Sequence, residues 1–331
     1  MNPITIAGGG LAGLTLGIGL RQHDVPVMIW EAGHYPRHKV CGEFISGRGQ
    51  DTLQKLGVLD RLGGRWARDA AFYVGADATR VALPQPALCI ARQVLDAFLA
   101  QEFRRLGGEL LEGRRWHGDF AQPGLVRATG HRIEPVVNGW RWFGLKVHAR
   151  GVELAADLEL HLRRDGYVGL CRLPDRVNIC GLFRTREPIH DLRQTWRRYL
   201  LDGLSVREVD ESSFCAVAGI DLTPHARTGT GELVIGDALT MIAPATGNGM
   251  AMALEAAENA TEPLARYARG DAAWETTRQS VAAQCRQRFA GRLRVAAQLQ
   301  RALFQPVLRR TLLGATRCCP AIFRQLFLQT R

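Results

Sequence analysis

Hydrophobic and polar positions alternate along the chain in runs that predict its elements. A short apolar run at Ile4, Ile6 and Ala7 predicts a buried strand that leads into Gly8 to Gly13. An apolar helical run follows to about Arg21, and Val25 to Trp30 returns as a second buried strand ending on Glu31. His34 to Gly47 is polar and broken by Gly and Pro, which predicts a loop. Leu53, Leu56, Val58, Leu59 and Leu62 predict a short amphipathic helix over Gln50 to Leu62. Ala70 to Val74 and Arg80 to Leu83 predict two strands around the Gly75-Ala76-Asp77 turn. Ala91 to Leu106 predicts a helix with Leu95, Phe98, Leu99, Phe103 and Leu106 on one face and Arg92 near its start. Glu109 to Val126 carries no clear pattern.

Farther on, Trp142 to His148, Leu158 to Leu162, Tyr167 to Leu173 and Val177 to Phe183 alternate with period two. Pro174-Asp175-Arg176 forms the tight turn between the last two. Ile189 to Leu201 predicts a helix, Phe214 to Ile220 a strand, and Glu232 to Ile235 a buried strand running into Gly236-Asp237. A long helix is expected after Ala245-Thr246-Gly247-Asn248-Gly249, with Met250, Leu254 and Ala257 on one face. The remainder, from Glu262, is helical and basic, broken near Pro306 and at Cys318-Cys319-Pro320.

The opening unit has a specific chemistry. Strand, Gly8-x-Gly10-x-x-Gly13, helix, strand and acid is the order of a βαβ dinucleotide site. Gly8 permits the tight turn, Gly10 lets a pyrophosphate approach the backbone, and Gly13 lets the helix pack close to the strand. The first-turn N–H groups, including those of Leu11 and Ala12, face the phosphates with the helix dipole behind them. Glu31 stands where an acid accepts hydrogen bonds from the adenosine ribose.

A second stretch has comparable content. A strand ending in Gly236-Asp237 puts a carboxylate at the edge where ligands sit in open α/β sheets. The loop from Pro244 through Gly247, Asn248, Gly249 and Met250 then brings bare backbone N–H groups to a helix start, where negative charge on a ring system is stabilised.

Composition narrows the partners. The 331 residues are 46% hydrophobic and 23% charged, enough for one large or two moderate domains with a real core. The net charge of +11 suggests an anionic partner, but the arginines are spread out and no aromatic-interleaved basic stretch occurs, so nucleic acid is not expected. None of the 8 cysteines forms a CxxC pair or a zinc spacing with His, so no metal site is expected. The N-terminal apolar run is the nucleotide-binding strand and not a leader, and no apolar run is long enough for a transmembrane helix. The expected location is cytoplasmic, with reduced thiols.

Together, Gly8-x-Gly10-x-x-Gly13, Glu31, Arg92 at a helix start, and Gly236-Asp237 with Pro244-x-x-Gly247-x-Gly249 resemble the FAD-dependent monooxygenase and geranylgeranyl reductase superfamily, which has the para-hydroxybenzoate hydroxylase type of fold. The resemblance runs from end to end. It implies a Rossmann-like, α/β FAD-binding domain over 1–69, 90–135 and 228–262. A mostly antiparallel sheet for substrate would occupy 70–89 and 136–227, and a helical segment 263–331. It implies Glu31 and Ala32 at the adenosine ribose, Arg92 toward the pyrophosphate, Asp237 at the ribitol–pyrophosphate region, and Gly247 to Met250 beside the isoalloxazine. The segment Pro36-Arg37-His38-Lys39-Val40-Cys41-Gly42-Glu43 is similar to a loop of the reductase branch that passes close to the flavin, which adds Arg37, Lys39 and Gly42 to the cofactor set. The aromatic hydroxylases carry an Asp-Gly motif midway that is linked to both FAD and NAD(P)H. Here Arg127-Ala128-Thr129-Gly130-His131-Arg132 has Thr129 in place of the Asp. The halogenase WxWxIP signature is absent.

In that architecture substrate lies between the FAD domain and the second sheet, with Phe143, Lys146, His148, His161, Tyr167 and Cys171 as candidate lining residues. Lys146 and His148, two apart on a strand, share a face and are expected to touch an acidic or phenolic oxygen. Cys41 follows Arg37, His38 and Lys39, and such cations are expected to lower its pKa, which makes it a redox or proton-transfer candidate against a packing role. Phe289 to Leu328 alternates Arg with Leu, Val and Phe. It is read as helices on the body, with peripheral membrane contact as the functional alternative.

The expected protein is an FAD-dependent oxidoreductase, by preference a monooxygenase of a lipophilic or phenolic, polyketide-like small molecule of secondary metabolism, with NADPH or NADH as electron donor. The alternatives are a flavin-dependent reductase of isoprenoid or polyene double bonds and a non-catalytic flavin-binding protein.

Overall fold

A computed structural model describes residues 1–131, 133–188, 191–222 and 231–331. In order, the elements are β1 (Ile4–Ala7), α1 (Leu11–Gln22), β2 (Val27–Glu31), β3 (Phe44–Ile45), α2 (Arg48–Lys55), β4 (Arg65–Val74), β5 (Asp77–Cys89), α3 (Arg92–Arg105), β6 (Glu109–Glu112) and β7 (Leu125–Arg127). There follow β8 (Arg141–Val152), β9 (Leu158–Arg163), β10 (Gly166–Arg172), β11 (Val177–Thr185), α4 (Leu192–Leu200), β12 (Val206–Ala218), β13 (Leu233–Val234), α5 (Gly249–Arg269), α6 (Trp274–Leu303), α7 (Pro306–Cys318) and α8 (Pro320–Gln329).

Two sheets result. The first has five strands in the order β13-β7-β1-β2-β6, every pair parallel. The chain leaves β1 to one side toward β2 and later returns on the other as β7, so the crevice beyond the carboxyl end of β1 is the switch point where ligands bind in such sheets. Ile4, Ile6, Leu14, Leu16, Ile18 and Ile29 are fully buried there, and α1 packs between the sheet and α5. The second sheet has eight strands, β12-β8-β11-β10-β9-β4-β5-β3, antiparallel except where β4 and β9 run parallel. One face of β8 puts Phe143, Leu145 and Val147 against Trp196 and Leu200 of α4. Alternation sends Gly144, Lys146 and His148 to the opposite face, toward the first domain.

The α/β class and most elements match the hydrophobic pattern, and the differences have local causes. The expected helix over Gln50 to Leu62 ends at Lys55, because Gly57 takes a left-handed conformation, φ +70°, and a single turn at Leu59–Arg61 follows. The helix that begins at Gly249 stops at Gly270, φ +89°, before α6 starts. The later breaks fall at Pro306 and Pro320, as Pro requires. β12 begins at Val206, well before the expected Phe214, since this edge strand is charged and shifts register between Asp210 and Cys215. β3 and the first half of β4 belong to the second sheet, so that sheet reaches into the stretch 1–69 that was expected to serve the first. Ile189, the expected start of α4, and the boundary between 227 and 228 lie outside the described residues.

Candidate active site

The turn after β1 is built by what its glycines lack. A Cβ on Gly13 would stand 1.9 Å from the Gly8 carbonyl oxygen, and one on Gly8, φ +114°, would stand 2.2 Å from the Ala128 oxygen. Only glycine lets α1 start so close to the strands. The first bond of α1 runs from Leu14 N–H to Gly10 O, so the N–H groups of Leu11, Ala12 and Gly13 lack helical partners. Beside Gly10 the nearest atom to a notional Cβ is Lys39 Nζ, at 3.9 Å, so open space and a cation face the helix N-terminus.

Glu31 closes this end. Its Oε2 accepts from Gly9 N–H at 2.8 Å, and its Oε1 accepts from Gly33 N–H at 2.8 Å and Arg37 Nη2 at 2.7 Å. A carboxylate oxygen accepts two bonds, which leaves Oε2 one position for a further donor. The cations are fixed by an acid outside the expected site residues. Asp96, fully buried, takes Arg92 Nε at 2.9 Å and Lys39 Nζ at 2.9 Å. Burial pushes its carboxyl up, but Arg92 and Lys39 hold it below its ordinary value. The Arg92-x-x-x-Asp96 spacing at the start of α3 was the available signal.

The second glycine stretch meets the first across the switch point. Gly236, φ +64°, lets the end of β13 approach Ala12, since a Cβ there would lie 2.9 Å from the Ala12 methyl. Asp237 opens into the cavity, and enclosure by the surrounding walls raises its carboxyl pKa. Gly247, φ +63°, leaves room for Phe44, whose ring a Cβ would strike at 2.1 Å. Asn248 is fully buried and donates from Nδ2 to the Thr330 carbonyl, which ties the end of α8 to the start of α5.

Between the two sheets lies a cavity of about 840 Å³. It is lined by Gly8, Gly10, Leu11, Ala12, Glu31, Ala32, Arg37, Lys39, Cys41, Gly42 and Arg92 from the first half of the site. Gly236, Asp237, Pro244, Gly247, Gly249 and Met250 line it from the second. Gly13 and Asn248 stand behind this wall as packing groups. The far side is apolar, with Leu158, Leu160 and Tyr167 from the second sheet and Leu303, Leu313 and Phe323 from the C-terminal helices. The Tyr167 hydroxyl is buried there without a partner. Among the described residues no group of three His, Cys, Asp or Glu could hold a metal ion.

Two expectations change. Lys146 and His148 do share a face, but Lys146 does not border the cavity and both are fully buried. They converge instead on Glu43, whose Oε2 meets His148 Nε2 at 2.7 Å and whose Oε1 lies 3.4 Å from Lys146 Nζ. Glu43 Oε1 also accepts from Arg92 N–H at 3.0 Å. Glu43 has φ +60°, a conformation that side-chain-bearing residues seldom adopt and that tends to mark functional sites. Burial opposes its ionisation, yet His148 and Lys146 hold its pKa below the ordinary value. Cys41 is the second. Burial raises its thiol pKa despite nearby Arg92, opposite to the expected lowering, because desolvation of a thiolate outweighs the cation.

The fold is shared with solved structures. The chain is similar to p-nitrophenol 4-monooxygenase from Pseudomonas putida, with a TM-score of 0.75 and 15% identity over 99% of this chain and 97% of that one. It is similar to a geranylgeranyl bacteriochlorophyll reductase-like protein from Thermoplasma acidophilum, at 0.72 and 14% over 97% and 94%. It is also similar to the flavin-dependent brominase Bmp2, at 0.68 and 16% over 99% and 92%. Among curated proteins it resembles conditioned medium factor receptor 1 of Dictyostelium discoideum, 26% identical over 125 residues, 33% of this chain. The chain covers only 24% of that relative's length. No protein-family model matches the chain.

Proposed function

We propose that this protein is an FAD-dependent oxidoreductase that acts as a monooxygenase on a lipophilic or phenolic small molecule. One observation carries the reading: two helix N-termini, those of α1 and α5, and two acids, Glu31 and Asp237, converge from opposite ends of the chain on one cavity that continues against an apolar wall. A single elongated ligand, polar at one end and planar at the other, accounts for both halves.

The residues present fit FAD. Glu31 would hold the adenosine ribose, and the α1 N-terminus with Lys39 and Arg92 the diphosphate. Asp237 would hold the ribitol, and Gly247 to Met250 the ring. The site also supplies what such a dianion needs, since Lys39 and Arg92 line it while sharing one buried acid. The cofactor, once bound, supplies the oxygen and redox chemistry. The protein's part is to bind it, to stabilise charge with the α5 N-terminus and to exclude water with the apolar wall. NADPH or NADH is the proposed donor.

A second reading, reduction of isoprenoid or polyene double bonds, draws on Cys41. That thiol borders the cavity and burial keeps it protonated, so it could give a proton to carbon. Oxygen consumption coupled to product supports the first reading, and equal turnover without oxygen supports the second.

We also propose a peripheral membrane contact. Val307, Leu308 and Leu328 are exposed on α7 and α8 among arginines, a composition that suits an anionic lipid surface and entry of a lipophilic substrate. No helix among the described residues is long and apolar enough to cross a membrane.

A further inference from the structure

We propose that His38 is a substrate-contacting hydrogen-bond donor to an oxygen that carries or develops negative charge, with Lys146 and Glu43 as the residues that position it. The proposal deepens the reading of the same cavity given above and rests on it for the presence of a substrate there.

The geometry runs outward from the buried end. Glu43 is fixed by the Arg92 N–H at 3.0 Å and by His148 at 2.7 Å. Its carboxylate compensates Lys146, which has no exposed surface. Leaving an ammonium unpaired at such a site costs several kcal/mol, so Glu43 is what allows a charged Lys146 there. Lys146 Nζ then lies 2.9 Å from His38 Nδ1. An ammonium has three donors and no acceptor, so Nδ1 must accept and the ring proton sits on Nε2. The His148 ring stacks edge-to-face on His38 with centroids 5.1 Å apart and restrains its plane. His38 lines the cavity, and among the described residues nothing bonds its Nε2.

The chain Glu43, Lys146, His38 therefore gives one tautomer and one orientation to an imidazole on the cavity wall. The groups that face His38 are Lys146 and His148 from β8, Glu43 from the loop before β3, and Asp210 from β12. Burial, then Lys146 and His148, push its pKa down to about 4. The ring is thus neutral at neutral pH and still donates from Nε2, while the ammonium behind it favours an anionic oxygen in front. Lys146, expected from the sequence to touch substrate, acts through His38 instead.

The test uses purified protein with its bound cofactor and 4-nitrophenol as an optical probe, since the phenol and the phenolate absorb differently. In the wild type the bound probe should ionise about one pH unit or more below the free probe. His38→Leu should abolish the shift, and His38→Gln, which keeps an N–H donor, should retain part of it. Lys146→Met should remove most of the shift with His38 still present. If that variant does not fold, the Leu and Gln pair decides alone. A wild-type protein that leaves the probe unshifted or unbound, or a shift that persists in His38→Leu, overturns the proposal. A yellow protein with no shift sinks this inference and leaves the flavin reading. A colourless protein that shifts the probe does the reverse.

Discussion

Glu43 Oε2 and His148 Nε2 meet at 2.7 Å with both side chains fully buried, at the junction of the loop before β3 and the second sheet. The hydrogen bond ties the loop before β3 to β8. Glu43→Gln leaves Lys146 without its counter-charge, and breaking such a pair costs about 3–5 kcal/mol. Urea unfolding should show that loss, and a midpoint equal to the wild type would contradict the role given to Glu43.

The same pair sets a pH dependence. The folded pKa of Glu43 lies below its ordinary 4.5. Its stabilisation is therefore present above 4.5 and is lost as pH falls through the lower folded value. His38 adds a term at higher pH. With its pKa lowered from 6.5 to about 4, the unfolded chain binds the proton first, so stability falls as pH drops from 6.5 toward 4. Thermal melts from pH 7 to 4 should show a decline that is shallower in His38→Leu.

Two glycine substitutions separate packing from binding. Gly13→Ala drives a methyl to 1.9 Å from the Gly8 oxygen and should destabilise the fold along with losing FAD. Gly10→Ala meets nothing closer than 3.9 Å and should keep the melting temperature while weakening FAD binding at least tenfold. Equal loss of stability in both would contradict the assignment of Gly10 to the ligand.

Thiol reactivity tests the placement of Cys41. Cys318 and Cys319 are exposed, whereas burial raises the Cys41 thiol. Iodoacetamide at pH 8 should label the former pair first by mass spectrometry. Cys41→Ser should retain full oxygen-coupled turnover, and a collapse of activity with Cys41→Ser would favour the double-bond reductase reading.

Anionic liposomes at low salt should sediment the wild type, and Leu308→Ser with Val307→Ser should release it. These side chains are 47% and 76% exposed, so the double substitution should leave the melting temperature within about a degree. Absence of wild-type binding at low salt would remove the membrane proposal.

The legible parts of this site were the local ones. Gly8, Gly10 and Gly13 lie within six consecutive residues, so spacing alone predicts the tight turn they build, and Asp237, which follows a strand into Gly236, borders the cavity that turn opens onto. The constellation around Glu43 is of another kind. His38 and Lys146 are 108 residues apart and Glu43 and His148 are 105 apart, so no window of sequence contains the relation. Alternation put Lys146 and His148 on one face of β8, but which group would neutralise a buried lysine depended on a loop folding over the second sheet. Cys41 misled for a related reason. Its neighbours in sequence are cations, whereas its pKa follows from burial, which only packing decides.

The central claim is that the two halves of the cavity hold one FAD. The most direct measurement is the visible spectrum of the purified protein, followed by heat release and identification of any bound nucleotide, then reduction by NADPH or NADH and exposure to oxygen. The account predicts a flavin spectrum, FAD released in about one equivalent per chain, and reoxidation in air. A protein that stays colourless after incubation with excess FAD, with no change in melting temperature, would contradict it.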